Sequence, residues 1–313
     1  MAVHWLVIGI GDITRKRVIP AILEEPRSEL HAVLTRDPRK AETYPGVRVF
    51  TVLEQALSDP AIDAVYVASP VALHAPQTIV SLAAGKHVLC EKPVALTYRL
   101  AETMVAAARA AGRLFGVAYY RRLFPKLMRT RELIDAGAIG RTVLAEANCH
   151  GWIPGDERGW LLDPSMAAGG PLYDIGSHRI DALNFLFGQP VKATGLLSNV
   201  VHRVAVEDSA TVLIDYANSV RGIVDVRWNS RVPRDQFRVI GTDGEINLDP
   251  LSGPLLRYQD QQEELPAHPN VHYPAIENFA GAILDGTALA CRGEDAILTD
   301  RVMETVASQA RDL

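Results

Sequence analysis

The chain has 313 residues, room for one large domain or two ordinary ones. Hydrophobic residues make up 48% and charged residues 22%, a globular balance that excludes disorder as the dominant state. The net charge of −5 comes with no basic tract, and no apolar stretch reaches membrane-spanning length, so neither nucleic acid nor a bilayer is an expected partner.

In chain order, the first third alternates strand and helix patterns. His4–Ile10 reads as a buried strand, followed by a glycine turn and a helix from Thr14 to Glu25. Strands are expected at Glu29–Thr35, Ala64–Ala68, His87–Cys90 and Leu114–Tyr119, with helices at Val52–Ser58, Gln77–Ala84 and Thr97–Ala111 between them. Such alternation predicts parallel βαβ units and a doubly wound sheet. Beyond Tyr120 the texture changes. Helices are expected at Pro125–Ala136 and Tyr173–Phe187, and strands at Arg141–His150, Val191–Val201, Ser209–Tyr216, Arg221–Trp228, Gln236–Gly241 and Glu245–Leu248. Arg221, Asp225 and Arg227 alternate with Gly222, Val224 and Val226, the period of an antiparallel meander with one wet face. Asp243-Gly244 marks a hairpin, and helices at Ala275–Asp285 and Glu294–Arg311 close the chain. The expected architecture is α/β, a Rossmann-type domain over 1–120 followed by an α+β domain with an open, mostly antiparallel sheet over 121–313.

The N-terminus enters its first strand almost at once, so no secretory leader is expected, and the three cysteines (Cys90, Cys149, Cys291) are odd in number and far apart. Reduced thiols and a cytoplasmic setting are expected. No Cys/His cluster has zinc spacing, so no metal is expected.

Gly9-Ile10-Gly11-Asp12-Ile13-Thr14 lies between the first strand and the first helix. Gly9 suits the tight turn, and Gly11 lets backbone approach a pyrophosphate held at the helix N-terminus. The third small residue of that pattern is Thr14 here, a departure from it. The second strand ends in Thr35-Arg36-Asp37, where a ribose-binding acid is usual. A hydroxyl and a guanidinium suit a 2′-phosphate better, which favours NADP(H) over NAD(H), unless Arg36 is a solvated loop charge and Asp37 takes the ribose.

Two further stretches are Ala84-Gly85-Lys86-His87-Val88-Leu89-Cys90-Glu91-Lys92-Pro93 and Gly169-Gly170-Pro171-Leu172-Tyr173-Asp174-Ile175-Gly176-Ser177-His178-Arg179-Ile180-Asp181. With Gly9–Thr14, Ala68-Ser69-Pro70…His74 and Ile276-Glu277-Asn278-Phe279, they closely resemble the glucose–fructose oxidoreductase / inositol dehydrogenase family (Gfo/Idh/MocA) over nearly the whole chain. The resemblance implies an NAD(P)-dependent oxidoreductase moving hydride between a nicotinamide and a sugar, polyol or related hydroxy or carbonyl compound. It also implies dimer or tetramer contacts through the second sheet, and an apolar exposed sheet face would predict the same. By the family pattern, Lys92, Asp174 and His178 form the catalytic group. Ser69, Pro70 and His74 line the nicotinamide-ribose or pyrophosphate region, and Glu91 holds ribose hydroxyls.

The chemistry agrees with that transfer. Hydride transfer to or from an alcohol carbon needs a partner for the hydroxyl proton, and imidazole suits both directions near neutral pH. Asp174 sits four residues before His178, on one face if the segment is helical. Lys92, at a parallel strand's carboxyl edge, can stabilise alkoxide charge. An ammonium from the first domain and an imidazole from the second are expected to converge on one oxygen. Tyr119, Arg122 and Trp160 are weaker substrate candidates. Arg122 is as readily a structural ion-pair partner, Asp181 reads as structural, and the Trp152…Asp156…Trp160…Asp163 loop can either recognise sugar or pack on the core. Two other functions remain open on this scaffold: a hydrolase or lyase that oxidises its sugar transiently, and a non-catalytic nucleotide sensor.

Overall fold

The computed structural model describes residues 2–153 and 156–311. The N-terminal elements are β1 (Val3–Ile8), α1 (Ile19–Glu24), β2 (Ser28–Leu34), β3 (Arg48–Phe50), α2 (Leu53–Leu57), β4 (Ala64–Val67), α3 (His74–Ala83), β5 (His87–Cys90), α4 (Tyr98–Ala111) and β6 (Phe115–Val117). Their six strands form one parallel sheet in the order β3-β2-β1-β4-β5-β6. Both faces are covered, which is why β1 and β4 are almost wholly apolar. Thr97 caps α4 by accepting the Leu100 N–H at 3.2 Å, and Gly112 ends it at φ +60°. The order reverses between β1 and β4, and ligands bind doubly wound sheets at the carboxyl edge of such a reversal.

The chain continues with α5 (Pro125–Asp135), β7 (Thr142–Trp152), α6 (Pro164–Ala167), α7 (Ser177–Phe187), β8 (Pro190–Ser198), β9 (Ser209–Tyr216), β10 (Arg221–Arg227), β11 (Asn229–Gly241), β12 (Glu245–Asn247), β13 (Leu255–Tyr258), β14 (Gln261–Glu264), α8 (Tyr273–Asp285) and α9 (Gly293–Arg311). The eight strands β7–β14 form a second sheet in the order β14-β13-β12-β11-β7-β10-β9-β8. It is not a pure meander. β7 inserts between β10 and β11 and pairs with β10 in parallel, Ala147 opposite Val224. The hairpin at Asp243-Gly244 is present, with the Gly241 N–H donating to the Gly244 carbonyl.

Two compact units result: Met1–Tyr120 with His268–Ile297, and Arg121–Ala267 with Leu298–Leu313. Residues 268–297, read from sequence with the second domain, thus join the first. The reason is apolar: α8 places Ile276, Phe279 and Ala280 in the core beneath β1, where Phe279 lies 5.6 Å from Trp5.

The apolar face read from Gly222, Val224 and Val226 is not the exposed one. Ala145, Ala147, Val212, Ile214, Val224, Val226, Phe237 and Val239 are buried within the second unit. Helix α7 packs there against β7 and β10, and Gly222 leaves space for Leu183. The opposite face is mixed, with Leu196 and Leu213 exposed on it beside charged pairs. Arg238 donates to Glu146 at 2.7 Å, and Asp225 accepts from Arg227, His150 and Thr211.

Candidate active site

At the switch point, Gly9 follows β1 with φ +91°, and a Cβ there would stand 3.0 Å from the Ala68 carbonyl oxygen. Glycine is therefore demanded by the fold itself. Gly11 differs, since a Cβ there meets nothing within 4 Å. Nothing in the protein requires glycine at that point, so the open space suits a ligand passing close to backbone. Thr14 is fully buried and closes the turn, its hydroxyl accepting the Gly11 N–H at 2.8 Å and donating to the Gly11 carbonyl at 3.0 Å. One wide, π-type turn over Thr14–Val18 then leads into α1. Asp12 pairs with Lys16 at 2.7 Å, and Ile13 is exposed at the helix start.

At the tip of β2, the Thr35 hydroxyl donates to the Asp37 carbonyl and accepts the Asp37 N–H, both at 3.2 Å. The Asp37 carboxylate receives Arg39 at 2.9 and 3.1 Å, and those bonds hold its pKa below the usual range. Arg36 is exposed and has no ion-pair partner among the described residues.

After β4, the Ser69 hydroxyl donates to Gln77 at 2.6 Å, and Pro70 begins a short turn. The buried His74 ring places Nδ1 at 2.9 Å from the Pro93 carbonyl and Nε2 at 2.8 Å from the Ser69 carbonyl. It thereby ties the segment after β4 to the segment after β5. Burial pushes its pKa down against those two carbonyls. Glu91 and Lys92 follow β5 directly. Glu91 is buried, accepting the Tyr66 hydroxyl at 2.8 Å, the His272 imidazole at 3.2 Å and the Lys92 N–H at 3.2 Å. Lys92 is half-buried and precedes a cis peptide to Pro93. Tyr119 is buried just beyond β6.

In the second unit, one π-type turn over Leu172–Gly176 carries Asp174 and runs into α7, which carries the buried His178. Four residues make nearly a full circle in either helix type, so the two share a flank. The turn is pinned by Glu207, whose carboxylate accepts the Leu172 N–H at 3.1 Å. A Cβ on Gly170 would run into the Glu207 carbonyl oxygen, which accounts for glycine there. Burial pushes the Glu207 carboxyl up, although backbone N–H groups pull the other way.

Arg122 donates through Nε and Nη2 to Asp181 at 2.7–3.1 Å, with the side chains 6% and 1% exposed. Of its two open readings, the structure displays the ion pair, with Asp181 structural. Trp160 lies on a short helical turn, 39% exposed. Asp163 caps α6 by accepting the Ser165 N–H at 2.9 Å. Trp152, at the end of β7, has the Arg231 guanidinium 3.8 Å above its ring and His202 edge-on at 4.5 Å. The Asp156 side chain and residues 154–155 of that loop lie outside the described residues.

Sequence reading missed His272, Glu207 and Asp208. The last is buried and accepts the consecutive N–H groups of Val200, Val201 and His202. His272 lies in one loop and the adjoining Glu207 and Asp208 in another, and contacts outside any periodic pattern mark them out.

Two family models match this chain. One is described as an oxidoreductase family with an NAD-binding Rossmann fold and covers residues 3–119. The other is the GFO/IDH/MocA C-terminal domain, over residues 127–247. The chain is 30% identical to the 1,5-anhydro-D-fructose reductase of Ensifer adhaerens over 307 residues, covering 94% of this chain and 92% of that one. Among solved structures it matches an aldose-aldose oxidoreductase from Caulobacter crescentus, complexed with glycerol, with a TM-score of 0.91 and 27% identity over 100% and 98% of the two chains. A 3-ketoreductase from Actinomadura kijaniata, in complex with NADP and TDP-benzene, matches with a TM-score of 0.85 and 26% identity over 98% of each.

Proposed function

The chain belongs to the GFO/IDH/MocA oxidoreductase family as an NAD(P)-dependent enzyme of sugars, polyols or related hydroxy and carbonyl compounds, and on that premise we propose how its residues divide the work. The observation that carries the reading is the switch point of the first sheet. There β1 leads into Gly9 and the open Gly11, β4 into Ser69, and neighbouring β5 into Glu91 and Lys92.

Bound dinucleotide supplies or accepts the hydride at its nicotinamide. Gly9, Gly11, Asp12 and Ile13 receive the pyrophosphate at the helix start, and Ser69, Pro70, His74 and Glu91 shape the edge beside it. Lys92 donates a hydrogen bond to the reacting oxygen and stabilises alkoxide charge. His178 takes the hydroxyl proton in oxidation and returns it in reduction, while Asp174 orients the imidazole or holds substrate hydroxyls.

Thr35 and Arg36 favour NADP(H). Arg36 is exposed and uncommitted among the described residues, whereas Asp37 is engaged by Arg39 and less available to a ribose diol. A homodimer or homotetramer would form through the open face of the second sheet, where Leu196 and Leu213 are exposed. Its charges neutralise one another there, so a second copy can cover them without stranding any. Cys90, Cys149 and Cys291 form no disulfide among the described residues, in keeping with a reducing cytoplasm. Among the described residues no helix is long and apolar enough to cross a membrane.

The test is a panel of sugars, inositols and small aldehydes with both coenzymes, followed by nicotinamide absorbance. Net absorbance change is expected. Turnover without net change would point to transient oxidation in a hydrolase or lyase instead. With the best substrate, Lys92→Met should cut hydride transfer by about 10²–10⁴-fold and leave coenzyme affinity within a few-fold. Undiminished turnover would remove Lys92 from the chemistry. Arg36→Ala should weaken NADP(H) far more than NAD(H), and equal effects would end the coenzyme argument.

A further inference from the structure

Glu91 is a carboxylate 8% exposed at the end of a central strand, where burial alone would hold it neutral. Burial pushes its pKa up, but the bond and charge of His272, the Tyr66 hydroxyl and the Lys92 charge together hold it below the usual carboxylate value. Burial and the Glu91 charge push the Tyr66 phenol well up, so Tyr66 remains a donor.

His272 reaches this carboxylate from the segment that rejoins the first unit, 181 residues further along the chain. The ring is buried, its centroid 4.7 Å from that of Tyr120, and its backbone N–H is tied to Asn270 Oδ1 at 3.2 Å. Its Nδ1 is buried with no hydrogen-bond partner among the described residues. A side chain that merely filled this space would be better as phenylalanine, which leaves no polar atom unmet. Among the described residues, the contact that justifies an imidazole here is its bond to Glu91.

We propose that His272 is a positioning residue for Lys92: its imidazole holds the Glu91 carboxylate, and that carboxylate holds the Lys92 backbone. This rests on the reading of Lys92 as the residue that engages the reacting oxygen. Two donors meet Glu91 Oε1, from Tyr66 and His272, while Oε2 receives the Lys92 N–H. The carboxylate is therefore fixed from behind and hands its fixed position to the residue beside it. With His272 gone, Oε1 keeps one neutral donor, and the bond to the Lys92 N–H loosens.

The test uses the full chain and two readouts. One needs no substrate: hydrogen exchange of the Lys92 amide, the proton donated to Glu91. The other is kcat with the best substrate of the panel, beside the NADPH Kd from coenzyme fluorescence. His272→Leu should speed exchange of that amide about 10-fold or more. It should lower kcat about 10–100-fold with NADPH Kd within about 3-fold, as expected for a misplaced catalytic group. His272→Gln, which keeps a donor, should recover most of both. Unchanged exchange and kcat in a folded His272→Leu protein would overturn the proposal, as would a Kd that weakens as much as kcat falls. Should His272→Leu not fold, Tyr66→Phe removes the companion donor, and the same two readouts must move in the same direction for the proposal to survive. Intact turnover in Lys92→Met would instead sink the parent reading, whatever His272 does.

Discussion

The interior of the second unit and its open sheet face each contain an arginine–carboxylate contact of the same length. Arg122 Nη2 lies 2.7 Å from Asp181, and Arg238 Nη2 lies 2.7 Å from Glu146. Burial separates them: side-chain exposures are 6% and 1% in the first pair, 42% and 28% in the second. Distance alone therefore says nothing about worth. In water the partner left behind is rehydrated, whereas in the interior it is stranded.

The comparison breaks most visibly at Arg122. Arg122→Met should cost about 3–5 kcal/mol, because the buried Asp181 carboxylate would lose the Arg122 guanidinium. Replacing both residues by apolar ones of similar volume should recover much of that loss. Denaturant unfolding of the single and double variants measures it, and a single-variant cost below about 1 kcal/mol would refute the account.

Lys126 sharpens the comparison from the side of a cation with no contacting carboxylate among the described residues. Its ammonium is buried and donates to the Pro250 carbonyl at 2.5 Å. Burial pushes its pKa down to about 8, with Asp235 and Asp249 pulling weakly upward. Between about pH 8 and the ordinary 10.5, the unfolded chain binds a proton that the folded chain has released. Stability must then rise with pH across that window. Lys126→Met should remove a rise on the order of 1 kcal/mol, about 2–4 °C in melting midpoint for units of this size. Parallel midpoint curves for wild type and variant would contradict the sign.

The smallest effect belongs to the sheet face. Arg238→Ala should cost under about 1 kcal/mol in the monomeric chain and less as salt is added. A larger, salt-insensitive loss would mean that this face is covered in solution, which light scattering on the same samples would reveal as a change in assembly.

What the sequence made legible follows the same logic of burial. β1, β4 and β5 are covered on both faces, so their apolar runs stand out, and glycine or a capping threonine marks the ends of the helices between them. β3 is three residues long with little buried, and β14 is Gln-Gln-Glu-Glu, so neither carries a period to find. The place of β7 was hidden for another reason. Alternation tells which face of a strand is wet but not which strand is its neighbour. At the site, Lys92, Asp174 and His178 lie in contiguous motifs. His272 and Glu207 earn their places through contacts 181 and 35 residues away, which no local pattern encodes.

The return of α8 to the first unit bears on how the protein is made. Phe279 and Ile276 are core residues beneath β1, yet they leave the ribosome after more than four-fifths of the chain. The nucleotide-binding half is begun first and completed late, so a nascent chain stalled in the middle of the gene carries an open hydrophobic floor under its first strand. Expressing residues 1–120 alone should yield an aggregating fragment, because the missing floor is encoded at the far end of the message.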